Sequence, residues 1–160
     1  MRTRWVAVAV LLMLTGTACR GGSVTEADYL DAVDDFTACL AEHDVEVVRH
    51  GWDPVNRLTV AFSYSVDAAT GGPNPQQAKC ESEHLAAVST AYADQATAVM
   101  AEDLRAHVRG CLTARQISAP ATVTNLAGFL AVADEQTVST CVFTGLAALY
   151  PEFPAVVGSR

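Results

Sequence analysis

Apolar residues recur at spacings of three and four between Thr25 and Glu42, where Tyr29, Val33, Phe36 and Leu40 trace one stripe. That period predicts an amphipathic helix, with Thr25 as its N-cap and Asp28 in its first turn. The period then changes. Val45 to Val48 is short and β-branched, and Leu58, Val60, Phe62, Tyr64 and Val66 alternate with small or polar residues, the pattern of a half-buried strand. Gly51, Asp53-Pro54 and Asn56 lie between the two runs and turn the chain, so an antiparallel hairpin is expected.

Helical spacing resumes after the Thr70-Gly71-Gly72-Pro73 break. Asn74 and Pro75 read as N-cap and first helical residue of a segment carrying Cys80, Val88 and Tyr92. From about Ala96 to Gln116, Met100, Leu104, Val108 and Cys111 share a face, and periodicity leaves open whether these two runs are one helix or two. Thr124 or Asn125 caps a short helix through Val132, and Asp134 a last one through Leu149, stopped by Pro151 and Pro154. The expected fold is therefore α+β and predominantly helical, with one short β-hairpin, in a single globular domain over 25–155.

Ahead of this domain, Arg2 and Arg4 precede an apolar stretch from Trp5 to Leu14 that is too short for a permanent membrane span. Leu14-Thr15-Gly16-Thr17-Ala18-Cys19 then ends in small residues and a thiol, the form of a lipoprotein signal peptide over 1–18. Lipidation is expected at Cys19, with 19–24 as a tether. Two long acyl chains anchor durably, at about 0.8 kcal/mol per buried methylene. The alternative is an ordinary secretory cut near Ala18. Either leader exports the chain, and the lipidated form places it on the extracytoplasmic face of the cell membrane.

Charge narrows the partners. The chain carries a formal charge of -8, and removal of Arg2 and Arg4 would make the remainder more acidic still. Nucleic acid is excluded as a natural partner, and anionic headgroups gain nothing from such a surface. Membrane attachment then rests on lipid at Cys19, and a partner would be a protein of the cell envelope.

Besides Cys19 there are Cys39, Cys80, Cys111 and Cys141, an even set for which disulfides are the default in an exported chain. Four cysteines admit three pairings. Cys39-Leu40 followed by Cys80 with Leu85-Ala86-Ala87 resembles Cys111-Leu112 followed by Cys141 with Leu146-Ala147-Ala148. Either a degenerate duplication, with half-repeats 25–93 and 96–150, or chance matching between alanine-rich helices accounts for this. Under duplication the bridges are Cys39 to Cys80 and Cys111 to Cys141.

The leader, the Cys-Leu pairs and the spaced cysteines resemble those of small, uncharacterised lipoproteins exported by actinobacteria. There a Cys-Leu helix end is followed by a glycine-aromatic pair and a valine-rich extended segment. In this chain Glu42-His43-Asp44 stands in place of that pair, and Gly51-Trp52 lies further on. The resemblance implies an extracytoplasmic lipoprotein and transfers no activity, cofactor or site residue.

Chemistry-bearing residues have structural readings beside each functional one. Cys80 with His84 and His107 with Cys111 could form a Cys2His2 metal site, but oxidising surroundings favour bridges over thiolate ligands. His43 and His50 read as a helix end and a hairpin position. Glu26, Asp28, Asp31, Asp34 and Asp35 form an acidic helix face without the glycine-turned loop of an EF-hand. Glu81, Glu83 and His84 share a helical stretch whose carboxylates do not face each other. Gly71-Gly72 lacks a phosphate loop's downstream lysine, and no serine sits on a glycine-flanked elbow. Trp52, Phe62 and Tyr64 either pack on a helix or line a groove, and the hairpin with the Gly71 to Pro75 loop is the place expected for recognition. No catalytic, cofactor or metal residue is assigned. The expected function is a lipid-anchored, non-enzymatic interaction or envelope-associated module, and the alternative is a small-ligand or metal-binding lipoprotein.

Overall fold

The computed structural model describes residues 23–65 and 74–153. Helix α1 (Glu26–Glu42) starts at a reciprocal cap. The Asp28 N–H donates to the Thr25 hydroxyl at 3.2 Å, and the Thr25 N–H to the Asp28 carboxylate at 2.8 Å. Two helical donors are thereby satisfied at once, which fixes where the helix begins. Its buried face is the stripe of Tyr29, Val33, Phe36 and Leu40, joined by Ala32.

Strands β1 (Val47–Trp52) and β2 (Val60–Tyr64) pair antiparallel, Val47 with Tyr64 and Trp52 with Val60. Strand β1 lies later than the expected Val45 to Val48, and β2 falls within the expected Leu58 to Val66. Strand β1 runs through Gly51 and Trp52, and the register shifts between Arg49 and Gly51. Gly51 takes a φ of 92°, which lets the strand continue past the bulge without a Cβ clash. The turn itself is Asp53 to Thr59. Asp53 accepts from the Val55 N–H at 2.8 Å and the Asn56 side-chain amide at 3.0 Å.

Helix α2 (Pro75–Cys80), capped by Asn74, runs through a π turn (Glu81–Leu85) into α3 (Ala86–Gln95). Ala96 is extended and α4 (Glu102–Ala114) begins six residues later, so the two runs are separate helices. The expected start near Ala96 is corrected here. The Val99, Met100 and Ala101 N–H groups donate to Asn56, Thr124 and Pro54 carbonyls at 2.8 to 2.9 Å, and backbone committed to those partners cannot close a helical turn. Helix α5 (Leu126–Leu130) is capped by Asn125 and α6 (Glu135–Leu149) by Asp134.

Disulfides join Cys39 to Cys80 and Cys111 to Cys141. They enclose separations of 41 and 30 residues, each worth about 4 kcal/mol of unfolded-state entropy in the chain-entropy description. Each bridge sits in its own apolar cluster. The first gathers α1, the strands and α3 around Tyr29, Phe36 and Leu40, and the second gathers α4, α5 and α6 around Leu104, Phe129 and Val138. Val55, from the hairpin turn, belongs to the second cluster although its strands belong to the first. The pairing is the one a duplication predicts, but the connections differ, a hairpin in the first half and α5 in the second. Among the described residues no helix is long and apolar enough to cross a membrane.

Candidate functional site

The hairpin aromatics pack inward. Phe36 of α1 meets the edges of Phe62 at 5.5 Å and Tyr64 at 6.2 Å between centroids. Tyr29, Trp52 and Tyr92 form one cluster, Tyr29 lying 5.3 Å from Trp52 and stacking on Tyr92 at 5.0 Å. The Val60 N–H donates to the Tyr29 hydroxyl at 2.8 Å, so a phenol buried to 1 % exposure has its polar atom satisfied. These rings are the core under the sheet. Burial, and then the negative charge of Glu81, push the Tyr64 phenol up to about 12.

Where the hairpin turn meets the segment ahead of α4, Arg57, Thr97, Val99, Met100, Glu102 and Arg105 line an open groove of about 360 Å³. Arg57 reaches it from a left-handed backbone position, φ 54°, held by its N–H donating to the Asp53 carbonyl at 2.8 Å. Two guanidinium groups beside one carboxylate suit an anionic group, since an arginine fork binds carboxylate or phosphate through paired donors. Sequence reasoning missed this groove. Its walls come from a turn and, 40 or more residues on in the chain, a loop and the first turn of α4, and none carries a motif. A second open groove of about 520 Å³ follows the start of α6, with Asp134, Glu135, Gln136, Ser139, Thr140 and Phe143. Phe143 is 58 % exposed there.

The remaining expectations resolve by position. Glu26, Asp28, Asp31, Asp34 and Asp35 are all exposed. Asp28 is consumed by the cap, which lowers its pKa through its bonds to Thr25, and Asp34 pairs with Arg49 at 2.8 Å. His43 is the C-cap of α1, while His50, in β1, bonds the Ser63 hydroxyl at 2.7 Å. The metal set of Cys80, His84, His107 and Cys111 is not brought together, because Cys80 and Cys111 belong to different bridges. Instead, the donor atoms of Cys39, His43 and Cys80 lie within 4.8 Å of one another, as do those of Cys39, Glu83 and His84. Asp103, at the start of α4, accepts a short hydrogen bond from the Tyr150 hydroxyl at the end of α6. That bond lowers the Asp103 pKa; burial first, then the same carboxylate, pushes Tyr150 up to about 12. Cys19, the leader and Gly71 to Pro73 lie outside the described residues.

No protein-family model matches the chain, and no curated protein or solved structure is significantly similar to it. Function must therefore be argued from the residues themselves.

Proposed function

We propose that this chain is a lipid-anchored protein of the extracytoplasmic membrane face, attached through Cys19, whose domain is a non-enzymatic interaction module of the cell envelope. The observation that carries the reading is the bridging of Cys39 with Cys80 and of Cys111 with Cys141, which accounts for every cysteine after Cys19. Such a pattern suits maturation in oxidising surroundings, and the leader ending at Cys19 supplies the route there. The two open grooves offer recognition surface on a stapled scaffold.

Labelling cells with a fatty acid tests the anchor. The natural chain should incorporate label and Cys19→Ala should not; equal incorporation by the two rejects Cys19 as the attachment point. Crosslinking the anchored protein in its own cells tests the module, with Phe143→Ser and the Arg57→Ala/Arg105→Ala double variant as surface probes. Loss of a crosslinked envelope protein in a folded groove variant supports the reading, and an adduct indifferent to both variants counts against these surfaces.

A second reading, binding of a small anionic ligand, is favoured by the two guanidinium groups of the first groove. Calorimetric titration with inorganic phosphate would show saturable heat that the arginine double variant removes. A flat titration would set that reading aside.

A further inference from the structure

The first bridge is surrounded by metal-ligating side chains, and the second is not. Cys39 and His43 stand four residues apart at the end of α1, and Cys80 and His84 four apart where α2 passes into the π turn. Both imidazoles reach the bridge through Cys39, His43 within 4.8 Å of Cys39 and Cys80, and His84 within 4.8 Å of Cys39. The sequence pattern is the same on both helices, cysteine then histidine four residues on, and the bridge brings the two copies together. Two triplets of donor atoms, each within 4.8 Å, meet at Cys39: one with His43 and Cys80, the other with Glu83 and His84. The π turn begins at Glu81, directly after Cys80. Single π turns are frequent at functional positions, and the wider turn here leaves the adjacent Glu83 and His84 both within reach of Cys39.

The second bridge lacks this setting. His107 stands four residues before Cys111, but its ring packs where a β-carbon on Gly145 would lie and its Nε2 is 3.4 Å from the Thr144 hydroxyl. Among the described residues no group of three ligating side chains includes Cys111 or Cys141.

We propose that the Cys39–Cys80 disulfide is the closed form of a redox-gated metal site, and that its reduction creates a Cys2His2 site for Zn2+ from Cys39, Cys80, His43 and His84. Two thiolates and two imidazoles are a set that tetrahedral zinc accepts, and Glu83, a harder oxygen donor, ranks behind imidazole beside two sulfurs. The closed form is silent because a disulfide sulfur has no thiolate charge to donate. An external dithiol opens it by thiol–disulfide exchange. The Cys39–Cys80 S–S bond breaks, two electrons and two protons pass to the two sulfurs as thiols, and the reductant closes into its own disulfide. Zn2+ then forms two S–metal bonds, and the two thiol protons leave to solvent. The ion replaces the bridge as a crosslink between α1 and the α2–α3 helix, so reduction exchanges one staple for another. The inference does not depend on what the protein's surface recognises.

The test uses the full chain in detergent solution, reduced anaerobically with a phosphine and titrated with Co2+, then with Zn2+. The expected result is one Co2+ per chain with the intense visible absorption of a tetrahedral site and thiolate-to-metal charge transfer, displaced by Zn2+. His43→Ala/His84→Ala keeps all the cysteines, so its oxidised form, checked by circular dichroism, reports whether the fold survives. Its reduced form should bind at least about tenfold more weakly, given that loss of even outer-shell partners costs about 10–100-fold. His107→Ala should titrate like the natural chain. Reduced protein that binds no metal, folded or not, overturns the proposal. So does an identical titration for the natural chain and the double-histidine variant, which would mean thiols collecting ions without a built site.

Discussion

The four tyrosines of the chain, Tyr29, Tyr64, Tyr92 and Tyr150, all have their phenol pKa raised, first by burial. A free phenol ionises near pH 10. Spectrophotometric titration of the native protein should therefore show tyrosinate forming later than from a free phenol, with Tyr64 and Tyr150 ionising only toward pH 12. A group with a raised folded pKa stabilises fully below its unfolded value and loses that contribution as pH rises through the folded one, so the alkaline limit falls between about 10 and 12. Ionisation of all four phenols at pH 10 with helicity intact would contradict the burial of Tyr64 and Tyr150. The carboxylates run the other way. Asp28, Asp103 and Asp134 are lowered by their hydrogen bonds to Thr25, Tyr150 and Thr137, so their stabilisation is complete above about pH 4 and fades as pH falls through their folded values. Asp53 is raised, mainly by burial, and protonation relieves it as pH falls toward that range. The melting temperature should thus rise slightly on mild acidification and drop below about pH 4; in Asp53→Asn the rise should vanish. A melting temperature flat from neutral pH to pH 3 would refute both signs.

Helices α4 and α6 approach closely at Gly145, in the half closed by the second bridge. A β-carbon placed on Gly145 would lie 2.7 Å from Leu104 Cδ1 and 2.8 Å from His107 Cδ2. Leu104 is fully buried, so its Cδ1 yields only by repacking within the core. Gly145→Ala should therefore destabilise by about 1–3 kcal/mol through overpacking, read as a lower denaturant midpoint at unchanged slope. Helix propensity alone would give the opposite sign, since alanine is the better helix former by about 1 kcal/mol, so a raised midpoint would show that the helices do not meet at Gly145. Much at this scale was legible beforehand. Thr25, Asn74, Asn125 and Asp134 all cap the helices assigned to them, because a side-chain acceptor before an apolar-periodic run is a local device that needs no tertiary partner. The failures come where tertiary partners decide. Ala96 to Ala101 has helical composition, yet the donors of Val99, Met100 and Ala101 are taken by the hairpin turn and Thr124. The π turn at Glu81–Leu85 has no residue signature of its own, and the pairing of Cys39 with Cys80 just ahead of it emerged only by comparing the two Cys-Leu segments.

At the scale of the whole molecule, the question is what makes one folding unit of two bridged clusters. Each half is closed by its own disulfide, and neither bridge crosses between them. The hairpin turn supplies much of the connection, beside the contact of the His50 ring in β1 with Phe153 at 5.8 Å. Its strands pair above α1 in the first cluster, while Pro54 and Val55 are buried at its tip and Val55 packs in the second. Two backbone hydrogen bonds fasten it there, from Ala101 to the Pro54 carbonyl at 2.8 Å and from Val99 to the Asn56 carbonyl at 2.9 Å. No periodicity could announce this, because a turn rich in Asp, Pro and Asn reads as solvent-facing and Val55 is a single apolar residue within it. The joint predicts cooperativity. Trp52 is the one tryptophan after Trp5 and stands at the end of β1, in the first cluster, whereas far-ultraviolet circular dichroism sums the helices of both. In a chain freed of its leader, the two signals should report one coincident denaturant transition, as a single two-state unit requires. Val55→Asp buries a carboxylate without a partner, at a cost of several kcal/mol borne by the tip's seat in the second cluster. Both disulfides still hold their own halves, so the expected outcome is division: helicity falls in two steps, and Trp52 fluorescence follows only the later one. Coincident transitions in the variant would show that the halves are joined elsewhere, with the tip merely resting on the second.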